Sequence, residues 1–253
     1  MSQKPLEGRI ALVTGASRGI GRAVALGLAK AGAHVIATAR TQGGLEELDD
    51  EILAATGERA TLVPLALTNG TGVDQLGEAI FNRWGKLDIL VHAAGDLGLL
   101  TPLAQLEPKT WDRAVAVNMT ATWRLIRSFD PLLRAAEAGR AIFFTSGAVK
   151  KTPAFWGAYV ATKAGLEALV RVYADETEHT NVRTALVNPG PMRTKMRATA
   201  MPGEDPETLP LPEVIVPLIV DLARADKEPE RDVVVNYQDW AADLPPEGGS
   251  GPN

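Results

Sequence analysis

Cysteine is absent from the 253-residue chain, and histidine occurs only at His34, His92 and His179. The first absence excludes disulfides, iron–sulfur clusters and thiol nucleophiles, and accords with a reducing compartment. Three histidines spread this widely form no zinc-ligand pattern, so no metal is expected. Cations are also short: Lys and Arg total 26 against 31 Asp and Glu, for a net charge of -5. Without a dense basic stripe, neither nucleic acid nor an anionic membrane surface is an expected partner. Long hydrophobic runs are missing as well. The opening MSQKPLEGRIALVTG has an apolar run of four residues, IALV, shortly before glycine, far short of a secretion signal or a membrane span. A cytoplasmic protein acting on small molecules is the expectation.

What the chain does have is an ordinary globular composition, 45% hydrophobic and 23% charged, rich enough in apolar surface to fold. No linker interrupts its middle, so residues 1–240 read as a single domain and residues 241–253, PPEGGSGPN at their end, as a disordered tail. Short apolar runs alternate with segments of helical period. RIALVT, HVIATA and ATLVPL are the first runs, followed by strands expected at 87–93, 140–146, 182–188 and 232–236. Between them, Leu45, Leu48, Ile52 and Leu53 share one face of a helix. The alternation predicts an α/β fold in which a doubly wound parallel sheet of about seven strands is covered on both faces by helices. A Met- and Pro-bearing stretch at 190–212 departs from the pattern and reads as a lid or substrate loop. Its cations Arg193, Lys195 and Arg197 read either as solvated loop charge or as partners of an acidic substrate.

VTGASRGIG, residues 13–21, lies between the first predicted strand and the first predicted helix. Glycines 15, 19 and 21 allow the main chain to approach a pyrophosphate, whose charge the helix N-terminus stabilises. In that context the turn reads as the dinucleotide-binding element of a Rossmann fold. At the end of the second strand, VIATARTQ contains no acid to hold a ribose 2′-hydroxyl. Arg40 and Arg18 offer guanidinium groups to a 2′-phosphate instead, so NADP(H) is the expected cofactor, with NAD(H) the alternative.

Tyr159 and Lys163 in WGAYVATK are four residues apart, and on a helix they share a face. That spacing is as common on solvated helices as in catalytic pairs. The chemistry gives it weight: an ammonium about 4 Å from a phenol supplies roughly the 4 kcal/mol needed to bring a tyrosine pKa toward neutrality. Ser146 ends a predicted strand, where doubly wound sheets hold their ligands, although serine also caps turns there. Asn118 sits inside a predicted helix that it does not favour.

TGASRGIG, AAG at 93–95, Asn118 in AVNMT, Ser146 in FFTSGA, YVATK and NPGPMRT occur in this order. Together they resemble the short-chain dehydrogenase/reductase (SDR) family, from about residue 8 to 236. The resemblance implies an NADP(H)-dependent oxidoreductase that passes a hydride between nicotinamide and a carbonyl or secondary alcohol. Tyr159 would be the general acid/base, Lys163 its tuner, Ser146 the group that orients the substrate oxygen, and Asn118 the holder of a water linking Lys163 to solvent. Cofactor contacts are implied for Gly15, Ser17, Arg18, Gly19, Ile20, Gly21, Arg40, Ala93, Ala94, Gly95, Tyr159, Lys163, Pro189, Gly190 and Thr194. A homotetramer or homodimer is implied too, through the helices around Asn118 and Tyr159. Two positions depart from the family pattern. His92 replaces an asparagine that ties neighbouring strands, and Ala66 replaces an acid that touches adenine, which shifts more of the binding onto the 2′-phosphate. The alternative reading is a catalytically silent NADP(H)-binding sensor or scaffold.

Overall fold

The computed structural model describes residues 4–226 and 234–243. Seven strands form one parallel sheet in the order β3-β2-β1-β4-β5-β6-β7. The first half runs β1 (Ile10–Thr14), α1 (Gly19–Lys30), β2 (His34–Ala39), α2 (Gln42–Thr56), β3 (Thr61–Pro64), α3 (Gly70–Trp84) and β4 (Ile89–His92). The second half begins with α4 (Pro108–Ala114), a π-helical turn (Val115–Thr120) and α5 (Ala121–Ala135), which follow one another without a break. It continues through β5 (Gly139–Phe144), α6 (Ala148–Lys151), α7 (Gly157–Glu176), β6 (Val182–Asn188), α8 (Lys195–Ala200), α9 (Val216–Ala223), β7 (Val234–Asn236) and α10 (Tyr237–Ala242).

The strands are apolar along nearly their whole length because helices cover both faces of the sheet. In β1, Ala11 and Val13 pack with Val24 and Leu28 of α1 and Leu48 of α2. Ile10 and Leu12 turn the other way, onto Leu76 of α3, Phe129 of α5 and Val170 of α7. This period-two division of one strand between two cores fixes the register, since a slip of one residue would exchange the faces. Pro64, which has no N–H to donate, is tolerated because β3 is an edge strand. At α3, the Asn69 side chain accepts from the Gly72 N–H at 3.0 Å and starts the helix.

The 190–212 stretch, expected as a lid or substrate loop, contains α8 and a 3-10 turn at Pro206–Thr208. α8 forms because the Thr194 hydroxyl accepts from the Arg197 N–H at 3.2 Å. The tail expected to be disordered from residue 241 still belongs to α10 at Ala241 and Ala242, and residues 244–253 lie outside the described residues. Of the strand expected at 232–236, residues 234–236 form β7, while 232 and 233 lie outside the described residues. Among the described residues no helix is long and apolar enough to cross a membrane.

Candidate active site

The sheet order reverses between β1 and β4, and the loops leaving their carboxyl ends diverge to opposite faces. A cleft of about 690 Å³ opens at this point. Its wall contains Gly15, Ser17, Arg18, Gly19, Ile20, Gly21, Arg40, Ala93, Ala94, Gly95, Tyr159, Lys163, Pro189 and Thr194. Gly190, Asn118 and Ser146 are not part of that wall. Gly190 closes the turn after β6, with its N–H donating to Asn188 Oδ1 at 3.2 Å.

The cleft fits a dinucleotide on several observations. A Cβ at residue 15 would lie 2.8 Å from the backbone of Ala94, so only glycine lets the β1–α1 turn meet the β4 turn. Gly19 has φ +56°, a conformation that favours glycine at the start of α1. No side chain caps α1 and no acid occupies its first turn, which leaves its first N–H groups available to an anion. Thr38 Oγ1, in the same cleft, is buried without a partner among the described residues. Arg18 and Arg40 line the cleft with no carboxylate paired to either among the described residues, whereas nearby Arg22 is held by Glu47 and Glu51. Past β3 the wall is Leu65, Leu67 and Thr68, so no acid stands at this end of the cleft apart from the paired Glu51.

α7 carries Tyr159 and Lys163 on its buried face, 8% and 4% exposed. Lys163 Nζ donates to the Phe144 carbonyl at the end of β5, at 2.8 Å. Burial lowers its pKa to about 8, opposed by Glu167 one turn further along the helix. Glu167 is itself held by the Thr145 hydroxyl at 2.5 Å. For Tyr159 the net shift is upward, because burial outweighs the hydrogen bond with the Ser146 side chain that pulls it down. The sequence-based expectation of a tyrosine lowered by Lys163 therefore differs from the structure. The ammonium is engaged by the Phe144 carbonyl, and Leu97, Trp156 and Ala200 pack around the phenol.

Asn118 is fully buried in the π-helical turn. Its Oδ1 accepts from the Asp96 N–H at 2.8 Å, and its Nδ2 donates to the Asp96 carbonyl at 2.8 Å and to Thr162 Oγ1 at 2.9 Å. Both amide hydrogens are used, and the side chain clamps the residue after the 93–95 turn. Its backbone carbonyl accepts from the Thr122 hydroxyl at 2.8 Å. Ser146 Oγ accepts from the Ala148 N–H at 3.2 Å while reaching Tyr159.

Sequence reasoning missed two contributors. Asp96 and Arg113 pair at 2.9 Å on the cleft wall, joining the β4 loop to α4. Nothing in their 17-residue separation signals the contact. Asn188, in sequence the first residue of NPGPMRT with no role of its own, accepts from the Gly147 N–H at 3.0 Å and so brackets the turn that holds Ser146. Two cations of the 190–212 segment are neutralised, Arg193 by Glu207 at 2.9 Å and Arg197 by Glu204 at 2.5 and 2.6 Å, while Lys195 lines the cleft.

The sequence model of the short chain dehydrogenase family matches residues 9–205. An uncharacterised oxidoreductase of Escherichia coli strain K12, YciK, is 36% identical over 238 residues, which cover 93% of this chain and 94% of that one. A solved short chain dehydrogenase from Pseudomonas syringae is similar with a TM-score of 0.90 at 38% identity, over 93% of this chain and 97% of the other. Another, from Shigella flexneri and complexed with NADP, has a TM-score of 0.89 at 36% identity, over 94% of this chain and 100% of the other. With its glycine turn at the switch point of a seven-stranded parallel sheet, the chain belongs to the short-chain dehydrogenase/reductase family and is a nicotinamide-dependent oxidoreductase.

Proposed function

We propose that the protein is an NADP(H)-dependent oxidoreductase that interconverts a carbonyl compound and a secondary alcohol, with Tyr159 as general acid/base. The observation that carries this reading is the placement of Tyr159, bonded to Ser146, beside Lys163 on the wall of the dinucleotide cleft. NADP over NAD is supported by the unpaired Arg18 and Arg40, by the absence of an acid at the end of β2, and by the NADP bound to the Shigella flexneri relative.

Bound NADP(H) supplies or accepts the hydride at the substrate carbon. Tyr159, its pKa raised by burial, is protonated at neutral pH and donates its hydroxyl proton to the carbonyl oxygen as the C–H bond forms. In the oxidative direction it takes the alcohol proton back. Ser146 holds the substrate oxygen beside the phenol, and Lys163, anchored to the Phe144 carbonyl, lines the cleft one helical turn away. Asn118 acts as a positioning residue, fixing the 93–96 turn and Thr162 of α7. The assembly is a homotetramer or homodimer, supported by exposed Trp111 on α4 and Trp123 on α5. A cytoplasmic setting is supported by the cysteine-free sequence.

Following NADPH oxidation with a carbonyl panel tests the reading. Tyr159→Phe should lower kcat by about a hundredfold to ten-thousandfold, with the NADPH dissociation constant changed by less than about threefold. Wild-type turnover in that variant would refute the assignment. NADPH binding by the unaltered protein without turnover of any carbonyl would favour a sensor instead.

A further inference from the structure

The surroundings of Tyr159 carry a chemical preference. Leu97 and Ala200 are buried with it in one cluster, and Leu100, Ala148 and Trp156 pack against that cluster. Trp156 meets the phenol ring edge-on at a centroid distance of 5.8 Å. The apolar surface then continues outward. Leu99, Leu103 and Phe155 are 54%, 68% and 57% exposed, an arrangement that costs solvation unless something covers it.

Leu103 and Phe155 belong to one surface. The Thr101 N–H donates to the Phe155 carbonyl at 3.0 Å, joining the 96–103 loop to the segment before α7. Leu103 lies over Gly157, where an added Cβ would come within 2.1 Å of its methyl group. Phe155 itself has φ +73°, an unusual conformation for a bulky residue. Such a cost persists where the surrounding structure imposes it, and here it holds an aromatic ring out at the site's edge. Three arginines near the site are paired: Arg113 with Asp96, Arg193 with Glu207 and Arg197 with Glu204. Lys195 lines the cofactor cleft.

We infer that the substrate is an uncharged ketone, aldehyde or secondary alcohol with an extended hydrocarbon group, which packs along Leu97, Trp156 and Ala200 and emerges over Leu99, Leu103 and Phe155. This rests on the catalytic reading proposed above. The hydrocarbon covers the exposed rim while its oxygen is presented to Tyr159. A carboxylate on the same chain would be desolvated against the apolar side chains of Leu97, Trp156 and Ala200.

The test uses the full chain, NADPH and straight-chain methyl ketones of increasing length, beside keto acids of matched length with the carboxylate at the far end. kcat/KM should rise with each methylene, by up to about fourfold, until the groove is filled. Each keto acid should be at least about tenfold poorer than its methyl ketone. Leu103→Glu, and separately Phe155→Asn, which tolerates the positive φ, should lower kcat/KM for the longest ketone by about tenfold and leave the shortest within about twofold. As a second readout, the longest ketone should quench Trp156 emission, measured against Trp156→Phe, where the shortest at the same concentration does not. A flat dependence on length, a preference for keto acids, or equal losses for short and long ketones in the rim variants would overturn the inference. Tyr159-dependent turnover confined to polar substrates would sink this inference alone. Turnover that survives Tyr159→Phe, or none with any carbonyl, would sink the catalytic reading and this one with it.

Discussion

His92 is wholly buried on β4, its Nδ1 2.8 Å from the Thr14 hydroxyl of β1 and its Nε2 without a partner among the described residues. The Thr14 hydroxyl also accepts from the Ala94 N–H at 3.4 Å, so the imidazole ties the two strands that border the cleft. This is the strand-tying role expected where the family has asparagine, but imidazole brings a titration with it. Burial, with Lys163 nearby, lowers its pKa to about 3. An unfolded chain takes up a proton near pH 6.5 that the folded chain refuses until about pH 3, so stability falls as pH drops through that window. Between neutrality and pH 5 the loss from this group should be about 2 kcal/mol. Urea unfolding of the wild type and His92→Asn at several pH values checks it. The variant is less stable at pH 7 if packing suffers, yet its acid slope should be shallower. Identical slopes would remove His92 as the cause. Lys163 acts in a separate window, where its depressed pKa of about 8 makes the cost of its burial diminish as pH rises from there toward 10.5.

At the scale of elements, the helix from Pro108 to Ala135 and α7 frame the candidate site from one side. The Tyr159–Lys163 pair was legible because helical period is written into side-chain spacing. The π-helical turn at Asn118 was not, since AVNMTA contains nothing that marks the extra residue. Lys163's bond to the Phe144 carbonyl was equally invisible, because a backbone acceptor has no signature in side-chain identity. Thr194 shows both sides of this. Its place in NPGPMRT suggested a cofactor contact, and it does line the cleft, but its role as N-cap of α8 needs the backbone around it. The outer faces of these helices carry Trp123, 45% exposed with the guanidinium groups of Arg124 and Arg127 at 5.6 and 6.0 Å from its ring, and the exposed Val172 on α7. If they pair copies of the chain, light scattering should give a multiple of the chain mass. Trp123→Glu should then shift the population to a smaller species at micromolar concentration, since a buried aromatic anchor contributes about 2 kcal/mol or more. A monomeric wild type would contradict the assembly.

For the molecule as a whole, the parallel sheet and its two cores were readable from apolar runs, because a strand buried on both faces has to be apolar throughout. The pairing of Thr14 with His92, 78 residues apart, and of Arg193 with Glu207 had to await the fold that places them together. Cofactor choice joins these levels, because the turn, the switch point and two arginines act on one ligand whose binding stabilises the entire fold. NADPH at about a hundred times its dissociation constant should add about 2.7 kcal/mol to stability, or roughly 5–10 °C in Tm for a domain of this size. Without the 2′-phosphate, charge-assisted hydrogen bonds of about 1.5–3 kcal/mol to Arg18 and Arg40 are lost. NADH at the same concentration should therefore raise Tm by only about 1–4 °C. Arg18→Ala combined with Arg40→Ala should reduce the NADPH shift to the NADH value and leave the NADH shift unchanged, because both arginines are exposed at the cleft and carry no other ion pair among the described residues. Equal shifts for NADH and NADPH in the wild type would instead place the selectivity elsewhere in the cleft, or deny it.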